Sequence, residues 1–333
     1  GGLLTSSLFP GTVIVDEFPA VSVQPTKEPE TWIVDLGRNI AGWCRVEFRG
    51  LEKGKVVRLR YSERLKEGRI ERNDLALHFL EGSPAYFAGE AGGFQTDFYI
   101  AGGNPVEVFE PRFTYHGFQY LEVKGLSSAP NPEDFTACVV ANGFPENGAF
   151  TTSNRLINDI QAATLSSYRA NFVDGYPTDC PHREKNGWTG DAQLACEQAM
   201  YNWKNSAAYE KWVRDLCDEQ RPDGNLPGIV PTGGWGYAWG NGPSWDSALI
   251  LVPWHLFVYR GDRRILETSY DAMKLYVDYL TTREDADRLV SHGLGDWCPY
   301  RKMPSVQVTT SSYYYVDAKI TAETAKMLGK TED

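Results

Sequence analysis

Apolar and polar residues alternate with a period of two through much of the first third of the chain, which is typical of strands that bury one face. The clearest segments are residues 44–49 and 56–61, on either side of a turn between Gly50 and Gly54. Further strand candidates are residues 31–36, 97–101, 114–115, 119–123 and 135–140. Short strands separated by glycine-containing turns predict an antiparallel β-sandwich of jelly-roll type over residues 1–145.

The period changes to that of a helix near Gly148. A first helix is predicted at residues 154–168, with Ser153 as its N-cap. Its apolar face carries Leu156, Ile157, Ile160, Ala163 and Tyr168. Five more helices are predicted at residues 192–201, 206–220, 245–259, 263–282 and 313–328. The helix at 245–259 is apolar all round, which indicates a buried helix.

The connections between these helices differ in length. Residues 202–205 form a short link, whereas residues 221–244 and 284–312 are long and rich in Gly, Pro and Trp. Alternating short and long connections predict an α/α toroid over residues 146–333, with its long loops gathered at one mouth. Residues 64–94 fit neither pattern and are interpreted as a long insertion or an irregular loop.

Composition narrows the class of protein. A net charge of −11 argues against a surface that binds nucleic acid or an anionic membrane, because both need clustered Lys and Arg. The six cysteines form no CxxC pair, so no zinc site is predicted, and no cofactor is expected. Many of the ten tryptophans are expected in the core, but indole rings in loops suit stacking against sugar faces.

The start of the chain and its longest apolar run bear on location. No signal-peptide pattern is visible, and Gly1 to Leu4 resemble the middle of a longer sequence. The longest apolar run, residues 248–259, contains Pro253 and His255 and is too short to span a bilayer. A soluble protein is expected, and cytoplasmic and periplasmic locations both stay open.

The segment at residues 179–191 concentrates the residues most suited to chemistry. Prolines and Gly187 break any regular period in its first half, so it is interpreted as a loop that leads into a helix near Gly190. It brings three carboxylates close to Arg183 and Trp188. Neighbouring anions or an apolar wall raise a carboxyl pKa and an arginine lowers one, so this set could provide a tuned acid. The alternative is a charged, solvated loop without a catalytic role.

This segment resembles the signature of bacterial α-L-rhamnosidases. The matching run is Pro177-Thr178-Asp179-Cys180-Pro181-His182-Arg183-Glu184, followed by Gly187-Trp188 and Gly190-Asp191. Segments similar to the family's β-sandwich are Asp35-Leu36-Gly37-Arg38-Asn39, Gly42-Trp43 and Phe113-Thr114-Tyr115-His116-Gly117-Phe118. Segments that resemble its (α/α)6 barrel are Ser244-Trp245-Asp246 and Gly295-Asp296-Trp297. The resemblance covers the chain from about Thr31 to its last residue.

The resemblance implies an inverting glycoside hydrolase that removes terminal α-L-rhamnose from glycosides, oligosaccharides or polysaccharides. It implies that Glu184 is the general acid, and that Asp179 and Asp191 bind sugar hydroxyls and keep this acid protonated. The other substrate-binding positions that it implies are Arg183, Trp188, Trp239, Trp245, Asp296 and Trp297. Rhamnose carries a methyl group at C5, which an aromatic pocket could accept while aspartates hold the ring hydroxyls.

One part of the family's pattern is not found. The family's general base is a glutamate far downstream, and an (α/α)6 barrel needs twelve helices where about six are predicted here. The chain is therefore interpreted as the sandwich plus the first half of the toroid of a longer enzyme. None of its own carboxylates is assigned the role of base.

Two other functions stay open on the sequence alone. One is a catalytically inactive relative that only binds carbohydrate, and the other is a glycosidase on the same toroid that acts on glucose or uronic acids. The intact set of Asp179, Glu184 and Asp191 favours the rhamnose hydrolase, since a binding module has no need of a shielded acid.

Overall fold

This computed structural model describes residues 6–71, 94–330 and 332–333. The first part of the described chain contains ten strands. In order they are β1 (Thr12–Pro19), β2 (Ser22–Pro25), β3 (Thr31–Arg49), β4 (Val56–Ser62), β5 (Leu65–Lys66), β6 (Arg69–Ile70), β7 (Thr96–Ile100), β8 (Val106–Phe109), β9 (His116–Lys124) and β10 (Phe135–Asn142). All but β5 and β6 belong to one antiparallel sheet with the order β1-β10-β3-β9-β4-β7, in which β2 and β8 also pair with β3. The predicted antiparallel β architecture is confirmed.

The long strand β3 organises this sheet. β2 pairs with its first half, whereas β10 and β8 pair with its second half. The pairing of β3 with β9 slips between Asp35 and Ile40, and Gly37 lies there with φ +77°. An irregularity of this kind bends a strand and increases its twist. The first half of β3 can therefore pair with β2 while its second half pairs with β8 and β10.

The β core follows the alternation seen in the sequence. Side chains that point inward from β3, β4, β9 and β10 are almost completely buried. The main members are Val34, Leu36, Cys44, Val46, Phe48, Val57, Leu59, Tyr61, Phe118, Leu121, Val123 and Phe135. Each fully buried aliphatic or aromatic side chain stabilises the fold by about 1.5–3 kcal/mol relative to an exposed one.

Several strand predictions need correction. The segments 31–36 and 44–49 belong to the single strand β3, and residues 114–115 precede β9 instead of forming a strand. Phe113 is in the left-handed region with φ +60°, which interrupts extended backbone just before them. The strands β1, β2 and β8 were not predicted. β1 is exposed along nearly its whole length, so it lacks the one-sided burial that period-two alternation reports.

The segment predicted as an insertion is only partly described. Within it, β5 and β6 form a small two-stranded sheet of their own. The part of that prediction covering residues 72–93 lies outside the described residues.

The second part of the chain is mainly helical. In order its elements are α1 (Arg155–Ala170), β11 (Phe172–Val173), β12 (Tyr176–Pro177), α2 (Thr189–Asn202), α3 (Ser206–Glu219), α4 (Pro243–Asp246), α5 (Ala248–Arg260), α6 (Arg263–Thr281) and α7 (Val306–Leu328). Six of the described helices are longer than ten residues, in the places where six were predicted. Within the described residues, no helix is long and apolar enough to cross a membrane.

The helices pack around α5, which is apolar on all sides. α5 contacts α2, α3, α6 and α7, and α6 also contacts α3 and α7. The core among these helices contains Met200, Tyr209, Trp212, Leu216, Leu249, Val252, Leu266, Met273, Tyr276 and Leu280.

Four helix predictions need correction. The N-cap of α1 is Asn154, not Ser153, and its side chain accepts a hydrogen bond from the Leu156 amide. Of the apolar face predicted for α1, Tyr168 is buried in the core, but Leu156 and Ile160 are exposed by 66% and 57%. α7 begins seven residues earlier than predicted, and Trp245 lies on the short helix α4 instead of on α5.

Candidate active site

A tight hairpin introduces the loop that carries the predicted acid. β11 and β12 pair at Val173 and Tyr176, and the two residues between them, Asp174 and Gly175, have φ values of +60° and +86°. A two-residue turn with both φ values positive is the turn that matches the twist of paired strands. The β part of the chain holds this hairpin, because the side chain of Asn142 accepts a 3.0 Å hydrogen bond from the Gly175 amide.

The loop at residues 178–188 closes on itself. The Asp179 amide donates to the Asn186 carbonyl at 3.0 Å, and the Asn186 amide donates back to Asp179 Oδ1 at 3.1 Å. Within this closure the Lys185 amide donates to the Cys180 carbonyl at 3.2 Å. The loop that looks irregular in the sequence is therefore a compact, internally bonded unit.

A second loop fixes the end of this unit and the start of α2. The Val230 amide donates to the Gly187 carbonyl at 2.8 Å, and the Thr189 amide donates to the Gly228 carbonyl at 2.9 Å. α2 begins at Thr189, so Asp191 lies in its first turn. A negative charge is favourable at that position, because the amides at the start of a helix carry partial positive charge.

Glu184 is an enclosed carboxylate of the site. Its side chain is only 4% exposed, and both of its oxygens are held by the protein. Trp188 Nε1 donates to Glu184 Oε2 at 2.9 Å, and Arg183 Nη2 lies 3.1 Å from Glu184 Oε1. Arg183 and Trp188, expected as pocket walls, thus also orient the predicted acid.

The two aspartates have raised pKa values. Burial raises the pKa of Asp179 from 3.8 to about 6, against hydrogen bonds from Cys180 and Asn186 that lower it and with the help of the Glu184 charge. Burial also raises the pKa of the Cys180 thiol to about 12, so the thiol stays protonated and donates to Asp179 Oδ2 at 3.0 Å. Restricted solvation and the Glu184 charge raise the pKa of Asp191 too. Asp191 is the more exposed of the two aspartates.

The shift at Asp179 predicts a pH-dependent stability effect. Because its folded pKa of about 6 exceeds the unfolded value of 3.8, the unfolded chain loses this proton first and stability falls as pH rises between them. Asp179→Asn removes this loss, so its stability relative to wild type should rise by about 2–3 kcal/mol from pH ~4 to pH ~7. Denaturant unfolding of both proteins at the two pH values measures the difference.

Asp262→Asn provides a control of opposite sign. A hydrogen bond from Arg264 lowers the pKa of Asp262, so its charged form stabilises the fold and that contribution is lost as pH falls through the folded pKa. This variant should lose stability relative to wild type as pH rises. An Asp179→Asn difference that stays constant or falls over the same range would contradict the buried environment of Asp179.

Indole rings from three separate segments form one wall. Trp188 contacts Trp239 edge to face at a centroid distance of 5.8 Å, and Trp235 stacks on Trp239 at 5.7 Å. Trp245 and Trp297 meet edge to face at 6.5 Å. Glycines make this approach possible. A Cβ at Gly240 would lie 2.7 Å from the Trp188 ring, and one at Gly190 would lie 2.9 Å from the Trp245 ring.

The carboxylates and the indole rings surround a cavity of about 200 Å³, called the site cavity below. Its lining residues are Asp179, Cys180, Arg183, Glu184, Trp188, Asp191, Trp239, Trp245, Leu294 and Trp297. Every predicted site residue except Asp296 lies on this wall. Asp296 is half-buried beside Trp297 and is not among the lining residues.

Two lining residues were missed by the sequence reasoning. Cys180 and Leu294 both contribute to the wall of the site cavity. Cys180 lies inside the segment at residues 179–191 that had been singled out, and Leu294 directly precedes the segment that begins at Gly295. Their position in or next to the motifs was the signal that could have identified these two residues, because their residue types do not indicate a sugar-binding role.

A second groove adjoins the site cavity. It has a volume of about 580 Å³ and runs between α1 and α2. Asp179 and Asp191 line both hollows, so they form the partition between them. In the part of the chain that the structure describes, no three His, Cys, Asp or Glu side chains are grouped so as to hold a metal ion.

Two family models match the chain. One, described as the bacterial alpha-L-rhamnosidase 6 hairpin glycosidase domain, matches residues 145–333. The other, described as the bacterial alpha-L-rhamnosidase concanavalin-like domain, matches residues 25–141. The alpha-L-rhamnosidase of Formosa agariphila is 33% identical over 313 residues, which are 87% of this chain and 31% of that relative. That of Streptomyces avermitilis is 32% identical over 320 residues, which are 95% of this chain and 29% of that relative.

Solved structures give the same similarity in three dimensions. The alpha-L-rhamnosidase from Dictyoglumus thermophilum superposes with a TM-score of 0.86 at 34% identity, over 98% of this chain and 35% of that chain. The Streptomyces avermitilis alpha-L-rhamnosidase complexed with L-rhamnose superposes with a TM-score of 0.85 at 30% identity, over 98% and 30%. The chain therefore spans about a third of the length of the relatives it matches.

Proposed function

Because this chain belongs to the bacterial α-L-rhamnosidase family, we propose that the protein hydrolyses terminal α-L-rhamnosides with inversion at the anomeric carbon. The observation that supports this most is the site cavity itself. It brings the enclosed carboxylate of Glu184 together with Asp179, Asp191 and an indole wall. Residues 1–145 and 146–333 are proposed to be its sandwich and toroid units.

Glu184 is the proposed proton donor to the glycosidic oxygen. General acid catalysis requires a carboxyl group within about 2.6–3.2 Å of that oxygen in the productive complex. Arg183 and Trp188 occupy the two oxygens of Glu184 in this structure. The donated proton must sit on one of these two oxygens, and the contact to the other oxygen keeps the carboxyl group oriented.

Asp179 and Asp191 are the proposed ligands of the sugar hydroxyls. Both reach the site cavity, and a carboxylate accepts strong hydrogen bonds from hydroxyl groups. The indole rings of Trp239, Trp245 and Trp297 offer an apolar surface to the C5 methyl group and the ring face. This division fits a 6-deoxy sugar, and the Streptomyces avermitilis relative is described as complexed with L-rhamnose.

Inversion needs a second carboxylate that activates water on the far side of the sugar ring, roughly 6.5–9.5 Å from the acid. Among the described residues, Asp179, Glu184 and Asp191 are the carboxylates that line the site cavity. Two of these are proposed to hold hydroxyl groups and the third to be the acid. None of them is proposed as the base.

A released-sugar assay on the full-length protein tests the proposal. An aryl α-L-rhamnoside should be hydrolysed, whereas the matching aryl glucoside and glucuronide should be cleaved at least about a hundredfold more slowly. The two sugars carry a hydroxymethyl or carboxyl group where rhamnose has a methyl. Equal turnover of the glucoside would favour another glycosidase, and saturable binding without release of sugar would favour a binding protein.

A further inference from the structure

The residue after the proposed acid points away from the site cavity and into the β part of the molecule. Lys185 has φ +53°, in the left-handed region that non-glycine residues rarely adopt. This conformation sends the side chains of Glu184 and Lys185 to different sides of the loop. Glu184 contacts Trp188 in the site cavity, whereas Lys185 donates a hydrogen bond to the Tyr115 carbonyl.

The contact of Lys185 with the β part is extensive. Its ammonium group lies 4.3 Å from the centroid of the Tyr115 ring and 5.9 Å from that of Phe94, so it combines a hydrogen bond with cation–π contacts. The charged and titratable groups that surround it are Asp97, His116, Tyr115, Tyr176 and Cys180. Burial lowers the pKa of Lys185 to about 8, with the Asp97 charge opposing that shift.

The β side of this contact is itself rigid. His116 is buried between Gln95, whose Oε1 lies 3.1 Å from Nδ1, and Asp97, whose Oδ2 lies 3.0 Å from Nε2. The side chain of Gln95 is also held by the residue after His116, since Gln95 Nε2 donates to the Gly117 carbonyl at 2.7 Å. Tyr61 stacks on the His116 ring at 4.0 Å. Lys185 therefore binds beside a group of side chains that are hydrogen-bonded to one another and stacked.

A second point of contact lies on the other arm of the loop. A Cβ at Gly117 would lie 2.6 Å from the His182 amide nitrogen and 2.8 Å from the Pro181 carbonyl carbon. The backbone at Gly117 and the backbone at Pro181 and His182 are so close that a side chain at Gly117 would not fit between them. His182 Nδ1 also lies 3.5 Å from Glu63 Oε2, on the chain just after β4. The β part thus holds the loop on both sides of Glu184.

We infer that Lys185 is a positioning residue for Glu184, and that its contact with Tyr115, together with the close approach at Gly117, fixes where the acid stands. This inference rests on the proposed function, because it assigns Lys185 a part in proton donation. The reaction is sensitive to such placement, since a shift of about 1 Å in a catalytic group can cost on the order of a hundredfold in rate. The β part is then a component of the catalytic machinery as well as a neighbouring domain.

The test uses two rhamnosides, one with an alkyl leaving group and one with an activated nitrophenyl leaving group. In the full-length protein, Lys185→Met should lower kcat on the alkyl rhamnoside at least about tenfold, but less than about threefold on the nitrophenyl rhamnoside. A misplaced acid matters only where the leaving group needs its proton. Lost folding alone would lower both rates equally, so the ratio of the two rates reports positioning.

Lys211→Met is the matched control. Lys211 is also a half-buried lysine, but its partner is the carboxylate of Asp215, and it lies on α3 and not in the loop. It should leave both rates unchanged. Gly117→Ala provides a second variant if Lys185→Met does not fold, and it should show the same selective loss on the alkyl substrate.

The outcomes separate this inference from the proposed function. Wild-type protein that hydrolyses neither rhamnoside would overturn the proposed function, and the role of Lys185 with it. Active wild-type protein with an unchanged ratio of rates in Lys185→Met, or in Gly117→Ala where that variant is the one that folds, would overturn the positioning role alone. A selective loss on the alkyl rhamnoside supports both.

Discussion

Glu184→Gln should lower the hydrolysis of an alkyl α-L-rhamnoside by about a thousandfold while lowering that of a nitrophenyl rhamnoside by about tenfold or less. An amide of the same shape cannot donate the acidic proton that a poor leaving group needs. The amide oxygen of glutamine still accepts one of the hydrogen bonds that Arg183 and Trp188 make to Glu184. Steady-state kinetics of the full-length protein with both substrates give the comparison.

Glu197→Gln is a suitable control for this experiment. Glu197 lies on α2, the same helix that follows the loop, and accepts a hydrogen bond from the Tyr259 hydroxyl on the protein surface. Its replacement should leave both rates within about twofold of wild type. Equal losses on both substrates in Glu184→Gln would argue against proton donation by Glu184, whatever the size of the loss.

Gly228→Ala should destabilise the protein by at least about 3 kcal/mol and lower its activity on both substrates alike. A Cβ at this position would lie 1.6 Å from the Gly240 carbonyl oxygen. The segment cannot retreat freely, because the Gly228 carbonyl accepts hydrogen bonds from the Thr189 amide and hydroxyl at 2.9 and 3.1 Å. Those bonds hold the start of α2, and with it Trp188 and Asp191.

Denaturant unfolding and kinetics together measure this effect. Gly11→Ala is the control, since a Cβ there meets no atom within 4 Å and its unfolding free energy should change by less than about 0.5 kcal/mol. If Gly228→Ala were as stable as Gly11→Ala, the segments around Gly228 and Gly240, which belong to one connection between α3 and α4, would not be as tightly packed as the structure shows.

The elements that could be predicted are those in which apolar residues lie clearly on one face or on all faces. Burial alternates along the second half of β3 and the start of β4, and α5 is apolar on all sides, so burial and sequence agree in these segments. In β1 and in part of the apolar face of α1, burial and sequence pattern do not agree. β1 pairs with β10 but stays exposed, whereas Leu156 and Ile160 form an apolar stripe that the described chain does not cover.

The residues of the site could be located from the motif, but their contacts could not. The run from Asp179 to Asp191 is continuous in the sequence, so its carboxylates had to lie near one another. Trp239 and Trp297 come from connections and Trp245 from α4, all far along the chain, and only the resemblance indicated that they join the same wall. Spacing carries no signal for such convergence, because it depends on how the helices pack.

The contacts between the loop at residues 178–188 and the β part could not be predicted from the sequence for the same reason. The partner of Lys185 is a backbone carbonyl 70 residues earlier in the chain, and backbone groups leave no trace in residue type. Gly117 shows the same limit, since its need for glycine arises from the approach of His182 and not from a turn of its own. The β part could be predicted as a separate core, but not as a support for Glu184.

The most direct test of the proposed reaction is proton NMR of the sugar first released from an α-L-rhamnoside by the full-length protein. An inverting mechanism predicts that β-L-rhamnose forms first and converts slowly to the equilibrium mixture of anomers. Glu184→Gln should form the same anomer more slowly. Release of α-L-rhamnose first would require a nucleophilic carboxylate next to the anomeric carbon and would contradict the assignment of the site, and release of no rhamnose would contradict the proposed function.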